Sequence, residues 1–254
     1  MNLSNVLITC ASHQAPTRHC HQFLMALREA GAVVQLCGAT HDVSLTRNLQ
    51  AMLARDAMLE RADLEWMFWV DHDISSSVDS LPLLIEVAKA LETPDHIPTV
   101  SGSYVNRHYR DGRSELAAFA LNGATEVEVP IKTEPEVKLK CYPALTGMGA
   151  MLQHRTTFLA HCVESPTFAY QQDTQQVPEV CQANLMQSIA LSHWVDVDPK
   201  STQLIRVAED FDFCMREFDQ GRLVILAPVA FGHEKTVQLM PDGRTTFPGL
   251  LPPK

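Results

Sequence analysis

The run Trp66-Met67-Phe68-Trp69-Val70, ending in Asp71-His72-Asp73, constrains the fold more than any other stretch of the chain. Successive side chains of an extended strand point to opposite faces, so five apolar residues in a row need cover on both sides. A strand of that kind belongs inside a sheet with helices packed on both faces. The flanking sequence agrees. Residues 6–9 read as a buried strand, 17–30 as an amphipathic helix stopped by Gly31, 33–37 as a strand and 45–61 as a helix. Asp79 is placed to cap a helix through Leu83, Leu84, Val87, Ala88 and Leu91, and residues 97–104 return as a strand. The βαβαβαβ order predicts an α/β fold with a mostly parallel central sheet and right-handed crossovers.

After Asn106 the pattern shortens. Strand-like pieces at 116–121, 126–131 and 137–142 are separated by Asp111-Gly112 and Asn122-Gly123, which predicts a small antiparallel extension. Residues 150–153 read as a further central strand, followed by a helix from Thr156. The stretch 165–188 holds six glutamines with little periodicity and reads as a lid or an acceptor-side excursion. A helix over 209–220 and a strand over 223–227 follow. No linker separates two cores, so the 254 residues are expected to form one catalytic domain: residues 1–105 a nucleotide-binding half, 106–240 an acceptor-binding half, 241–254 a tail.

A formal net charge of -10 disfavours general binding to nucleic-acid phosphates or anionic membrane surfaces. The seven cysteines have no C-x-x-C pair and lie largely in apolar runs, which predicts buried free thiols and a reducing, cytoplasmic setting. No run approaches the roughly 20 apolar residues a membrane span needs, and the amino terminus has no basic region or long apolar core.

Four features carry chemistry. In an extended segment Asp71 and Asp73, two apart, would face one site together, where a hard cation such as Mn²⁺ or Mg²⁺ could join them. Turn formation and helix capping are the bland alternative for so short a motif. Glu209-Asp210-Phe211-Asp212 opens an amphipathic helix with a stripe of Phe211, Met215 and Phe218; its acids complement the helix dipole, or Asp210 serves as a general base. Gly232-His233 after a strand offers a further metal ligand or a packing histidine. Gly147 and Gly149, in Thr146-Gly147-Met148-Gly149, permit close backbone approach or a tight turn.

Taken in order, the strand ending in D-x-D, the glycine pair, the E-D-x-D-F-C helix start and the strand followed by G-H resemble the GT-A fold glycosyltransferases. The likeness is to the broad family-2-like group that uses nucleotide-diphosphate sugars. Thr46-Arg47-Asn48 and Ser101-Gly102-Ser103-Tyr104 with Arg107 look like further elements of that group, so the resemblance spans roughly Leu7 to His233. It implies that Asp73 ligates the metal, Asp71 touches the metal or the ribose, and His233 adds a metal or diphosphate contact. It places Arg47 near the diphosphate, Thr9 to Ser12 near the base and ribose, and Gly147 and Gly149 around the donor sugar. Asp210, beside Glu209, becomes the base of an inverting transfer from a nucleotide-sugar donor, a UDP-sugar first; in a retaining route it would instead orient sugar hydroxyls.

The acceptor is open: a glycan, a protein, a small molecule, or a hydroxymethylated pyrimidine in phage DNA. Arg107, Arg110 and Trp194 are the candidate acceptor contacts. Nucleotidyl transfer, which also uses paired carboxylates and a metal, is the alternative enzyme class; the loop after the first strand has no glycine for it. A catalytically inactive GT-A-like binding protein is the non-enzyme alternative.

Overall fold

The computed structural model describes residues 2–12, 15–38, 40, 42–105, 116–131, 137–170, 175–234, 238–239 and 245–246. In chain order the elements are β1 (Val6–Ser12), α1 (Arg18–Glu29), β2 (Val33–Gly38), α2 (Val43–Glu60), β3 (Trp66–Asp71), β4 (Ile74–Ser75), α3 (Ser80–Ala90), β5 (Thr99–Ser103), β6 (Ala118–Ala120), β7 (Val127–Ile131) and β8 (Val137–Thr146). They continue with β9 (Ala150–His154), α4 (Arg155–Glu164), β10 (Thr167–Tyr170), β11 (Gln175–Pro178), β12 (Asn184–Gln187), α5 (Ser188–Leu191), β13 (Leu204–Val207), α6 (Glu209–Asp219), β14 (Val224–Ala230), β15 (Gly232–His233), β16 (Gln238–Leu239) and β17 (Thr245–Thr246).

Local chemistry explains the helix limits. Thr17 caps α1 by accepting from the Cys20 amide, and Cys20, Phe23, Leu24 and Leu27 form its buried stripe. The chain then turns at Gly31 with φ 103°, a conformation that favours glycine. Asp42 caps α2 through the Leu45 amide at 3.0 Å, so that helix opens two residues earlier than the periodicity predicts. Asp79 does stand at the N-cap of α3, but it makes no side-chain cap bond there; its carboxylate accepts from the Ser77 hydroxyl instead.

The central sheet has nine strands, eight of them in the order β2-β1-β3-β9-β5-β14-β8-β6, with β7 also paired to β8. β1 is parallel to β2 and β3, and β5 is parallel to β14. β9 is the further central strand expected over residues 150–153; it lies between β3 and β5 and is antiparallel to both. The α/β class with a mostly co-directional sheet and an antiparallel extension at β6, β7 and β8 is as expected.

The apolar run of β3 is divided between two cores. Trp66, Phe68 and Val70 join the core that includes Phe23, Leu27, Leu84 and Val87, whereas Met67 and Trp69 join the one containing Ala51, Met58, Phe158 and Phe213. α1 and α3 therefore cover one face, and α2, α4 and α6 the other. Burying each large side chain contributes roughly 2–3 kcal/mol. The Trp69 indole N–H is satisfied across the ladder, donating to Gln153 at 2.8 Å. All seven cysteines are buried and free, including those outside the apolar runs that predict it.

Among its described residues the glutamine-rich stretch holds three short strands. Within it β10 pairs antiparallel with β11, Phe168 opposite Val177, and β12 pairs with β13. Among the described residues no helix is long and apolar enough to cross a membrane.

Candidate active site

The carboxyl end of β3 opens into the crevice where α/β sheets place their sites. Asp71 is its last residue, and His72 and Asp73 form a turn before β4. The triplet is thus not extended, and its two carboxylates have different partners rather than one shared site. Asp71 Oδ1 accepts from Arg47 Nη2 at 2.7 Å. Asp73 Oδ2 lies 3.4 Å from His233 Nε2, with both side chains more than nine-tenths buried.

The turn is pinned from two sides. The Thr17 amide donates to the His72 carbonyl at 2.8 Å and the Glu234 amide to the Asp73 carbonyl at 2.7 Å, while β15 pairs with β4, His233 opposite Ile74. His233 Nδ1 lies 2.7 Å from the Val105 carbonyl, which can only accept, so Nδ1 carries a proton. In a neutral ring the Nε2 lone pair then faces the Asp73 carboxylate. A proton on the ring satisfies both groups, and a small divalent ion is the alternative that Asp73 and His233 could hold. Among the described residues no cluster of three or more His, Cys, Asp or Glu side chains stands ready for a metal, so a cation there would draw its other ligands from water or from the substrate.

Tyr104, just after β5, ties this pair to the remaining candidates. Its ring stands edge-on to His233, centroids 5.9 Å apart, and its hydroxyl accepts from the Gly149 amide at 3.0 Å. Both glycines are needed for that placement. A Cβ on Gly147 would lie 2.1 Å from the Tyr104 hydroxyl and 3.1 Å from Asp210 Oδ2; one on Gly149 would lie 3.0 Å from the same hydroxyl and 3.0 Å from Asp71 Oδ2. The close approach these glycines allow is thus made by protein side chains. Residues 147–149 cross between β8 and β9 at the carboxyl end of β3, where the Asp71 amide donates to the Gly149 carbonyl at 3.2 Å.

Asp210 lies in the first turn of α6, whose helix dipole favours a carboxylate. The opposing effects are larger: burial first and the neighbouring Glu209 second, against Arg47 and the Phe211 amide, push its pKa up to about 7. A carboxyl that titrates near neutrality is matched to proton transfer. Burial, then Asp71 and Asp210, raise Tyr104, so the phenol keeps its proton.

The structure therefore brings Arg47, Asp71, Gly147, Gly149 and Asp210 together, with Asp73 and His233 adjoining through Tyr104. Glu209 borders the group and interacts electrostatically with Arg47 and Asp210. Thr9 stands apart: it is 1% exposed and its hydroxyl accepts from Gln50 of α2, so it is a packing position rather than a contact for base or ribose. Ser12 ends β1. Trp194 packs against Phe218, centroids 6.0 Å apart. Phe218 lies eight residues beyond Asp210, roughly 12 Å along a helix, which places Trp194 toward the far end of α6. Arg107 and Arg110 lie outside the described residues.

Two residues with no chemical role in the motif pattern join the site. Tyr104 belongs to the Ser101–Tyr104 segment of the resemblance, and its own role emerges through its contact across 45 positions with Gly149. Phe119 on β6 is half exposed and stands edge-on to Phe211, 5.3 Å away, next to Asp210; nothing in the continuously apolar run 116–121 marks it.

No protein-family model matches the chain, and no curated protein matches it in sequence. Among solved structures, the crystal structure of A197 from STIV matches over 100% of this chain and 97% of its own length, with a TM-score of 0.50 and 12% identity. A glycosyltransferase involved in glycosylating the major capsid of PBCV-1 aligns over 60% of this chain and 61% of its own, at a TM-score of 0.34 and 9% identity, too slight a likeness to carry an argument. What the comparison with A197 establishes is a shared α/β fold across the whole chain.

Proposed function

We propose that this chain is a glycosyltransferase that moves a sugar from a nucleoside-diphosphate donor, a UDP-sugar first, to an acceptor hydroxyl. The observation that carries this reading is Asp210: a carboxyl pushed up to about 7, next to Asp71 and Arg47 at the carboxyl end of the sheet. A base of that strength can take the proton of an attacking hydroxyl at neutral pH.

The chain's own residues divide the work. Asp73 and His233 would hold Mn²⁺ or Mg²⁺, and such an ion, when bound, neutralises charge on the departing diphosphate. Arg47 adds a buried positive charge, held in place by Asp71 and by Gln50, to which its Nη1 donates at 3.2 Å. Asp210 accepts the acceptor's proton as the new glycosidic bond forms, which makes the transfer a single displacement with inversion. Phe119 and Phe211 border Asp210 on the acceptor side and offer ring faces to a glycan or other cyclic acceptor. Glu209 keeps Asp210 basic by charge repulsion.

The direct test is release of nucleoside diphosphate from a panel of nucleotide sugars with Mn²⁺ or Mg²⁺. Acceptors should include glycans, proteins, small polyols and hydroxymethylated DNA, with products read by mass. Transfer that Asp210→Asn abolishes while donor binding persists is the expected result. Transfer that survives Asp210→Asn unchanged removes the base from the mechanism, and a mass increment of a nucleotide on the acceptor would mark nucleotidyl transfer instead.

A further inference from the structure

We propose that Tyr104 is a substrate-contacting residue, its hydroxyl donating a hydrogen bond to a ring hydroxyl of the donor sugar between Asp71 and Asp210. This rests on the donor-site reading above and names the group that would recognise the sugar rather than the nucleotide. Tyr104 is more than nine-tenths buried. Its hydroxyl makes one hydrogen bond among the described residues, accepting from the Gly149 amide. That bond fixes the oxygen and occupies one lone pair; the phenolic proton remains to be given. A phenol keeps its proton at neutral pH, so the group acts as a donor.

The hydroxyl is packed against two glycines. Gly147 and Gly149 both lack the Cβ that would meet the oxygen, at 2.1 and 3.0 Å. The other side-chain oxygens that close on those two glycines, Asp71 Oδ2 on Gly149 and Asp210 Oδ2 on Gly147, belong to carboxylates. When ionised they can only accept, whereas Tyr104 has a proton to donate. A ligand that satisfies all three must present groups that donate and accept at once, which is the property of hydroxyls on a polyhydroxylated ring. A phosphate has no proton for the two carboxylates and would be repelled by them, so this corner suits the sugar end of the donor.

The test compares wild type with Tyr104→Phe, which keeps the ring against His233, by calorimetry with Mn²⁺ and two ligands, the nucleoside diphosphate and its sugar conjugate. The expected result is unchanged affinity for the diphosphate and about tenfold weaker binding of the nucleotide sugar. In addition, one member of a monodeoxy-sugar series should bind wild type about tenfold less tightly yet bind Tyr104→Phe no worse than the parent sugar does. Equal weakening toward both ligands would show that the hydroxyl merely supports the Gly149 segment and would overturn the proposal. Unchanged binding of both would overturn it as well. Wild type that binds neither ligand would bring down the donor-site reading itself, and this role with it.

Discussion

Replacing Asp210 with Asn should cost activity and increase stability, and the size of the gain should depend on pH. The folded protein holds the Asp210 carboxyl at about 7 against an ordinary value of 3.8, with burial as the first cause and Glu209 as the second. Between those values the unfolded chain has released the proton and the folded chain has not, so stability falls as pH rises across the window. Moving a titration by one pH unit is worth about 1.4 kcal/mol, which makes the full loss about 4 kcal/mol, with about 2–3 kcal/mol of it between pH 5 and 8. Asp210 as a residue is only partly buried, so these values are ceilings. Asn removes the titration. Urea unfolding of wild type and Asp210→Asn at pH 5, 7 and 8 should show the variant gaining on wild type up to about pH 7 and then holding level. Parallel curves for the two proteins at all three values would refute the raised pKa, and with it the reason for assigning Asp210 as the base.

The other expectations concern its surroundings. Transfer rate should rise with pH through about 7 as Asp210 ionises, and Arg47→Ala, which removes a charge that lowers Asp210, should move that limb to higher pH in a pH–rate profile. Gly147→Ala should destabilise by about 1–3 kcal/mol through overlap with the Tyr104 hydroxyl, and combining it with Tyr104→Phe should cost less than the two changes separately, as read from denaturant midpoints. Far from the site, Glu217 is fully buried between His161 at 2.5 Å and Arg222 at 2.8 Å. Glu217→Gln should cost about 3 kcal/mol in the same measurement, because it leaves Arg222 without its buried counter-charge.

Most of the layered architecture was readable where one physical rule acted alone. The Trp66–Val70 run had to be covered twice, and the structure divides it between two cores. The direction of β9 was not readable: nothing local in Ala150–His154 says whether it runs with or against its neighbours, and its antiparallel insertion is set by where residues 147–149 cross. The i, i+2 argument for Asp71 and Asp73 failed because it assumed an extended segment, whereas the chain turns at His72 and gives each carboxylate its own partner. Tyr104 stood within the Ser101-Gly102-Ser103-Tyr104 resemblance, but no role could be read for it, for a related reason. A tyrosine after a strand is ordinary until the glycines that clear space for its hydroxyl, 43 and 45 positions later, are folded against it. The hairpin of β10 and β11 was hidden by glutamines, although Thr167-Phe168-Ala169-Tyr170 alternates as a strand should.

Metal-dependent binding of a nucleoside diphosphate tests the central claim most directly. Thermal unfolding followed with UDP, GDP and other nucleoside diphosphates, each with and without Mn²⁺, should show stabilisation by at least one of them only when the ion is present. Asp73→Ala and His233→Ala should lose that stabilisation while remaining folded. Stabilisation that is indifferent to the ion, or that persists in both variants, would contradict the assignment of Asp73 and His233. An intact wild-type protein that responds to no nucleotide at all would contradict the donor site.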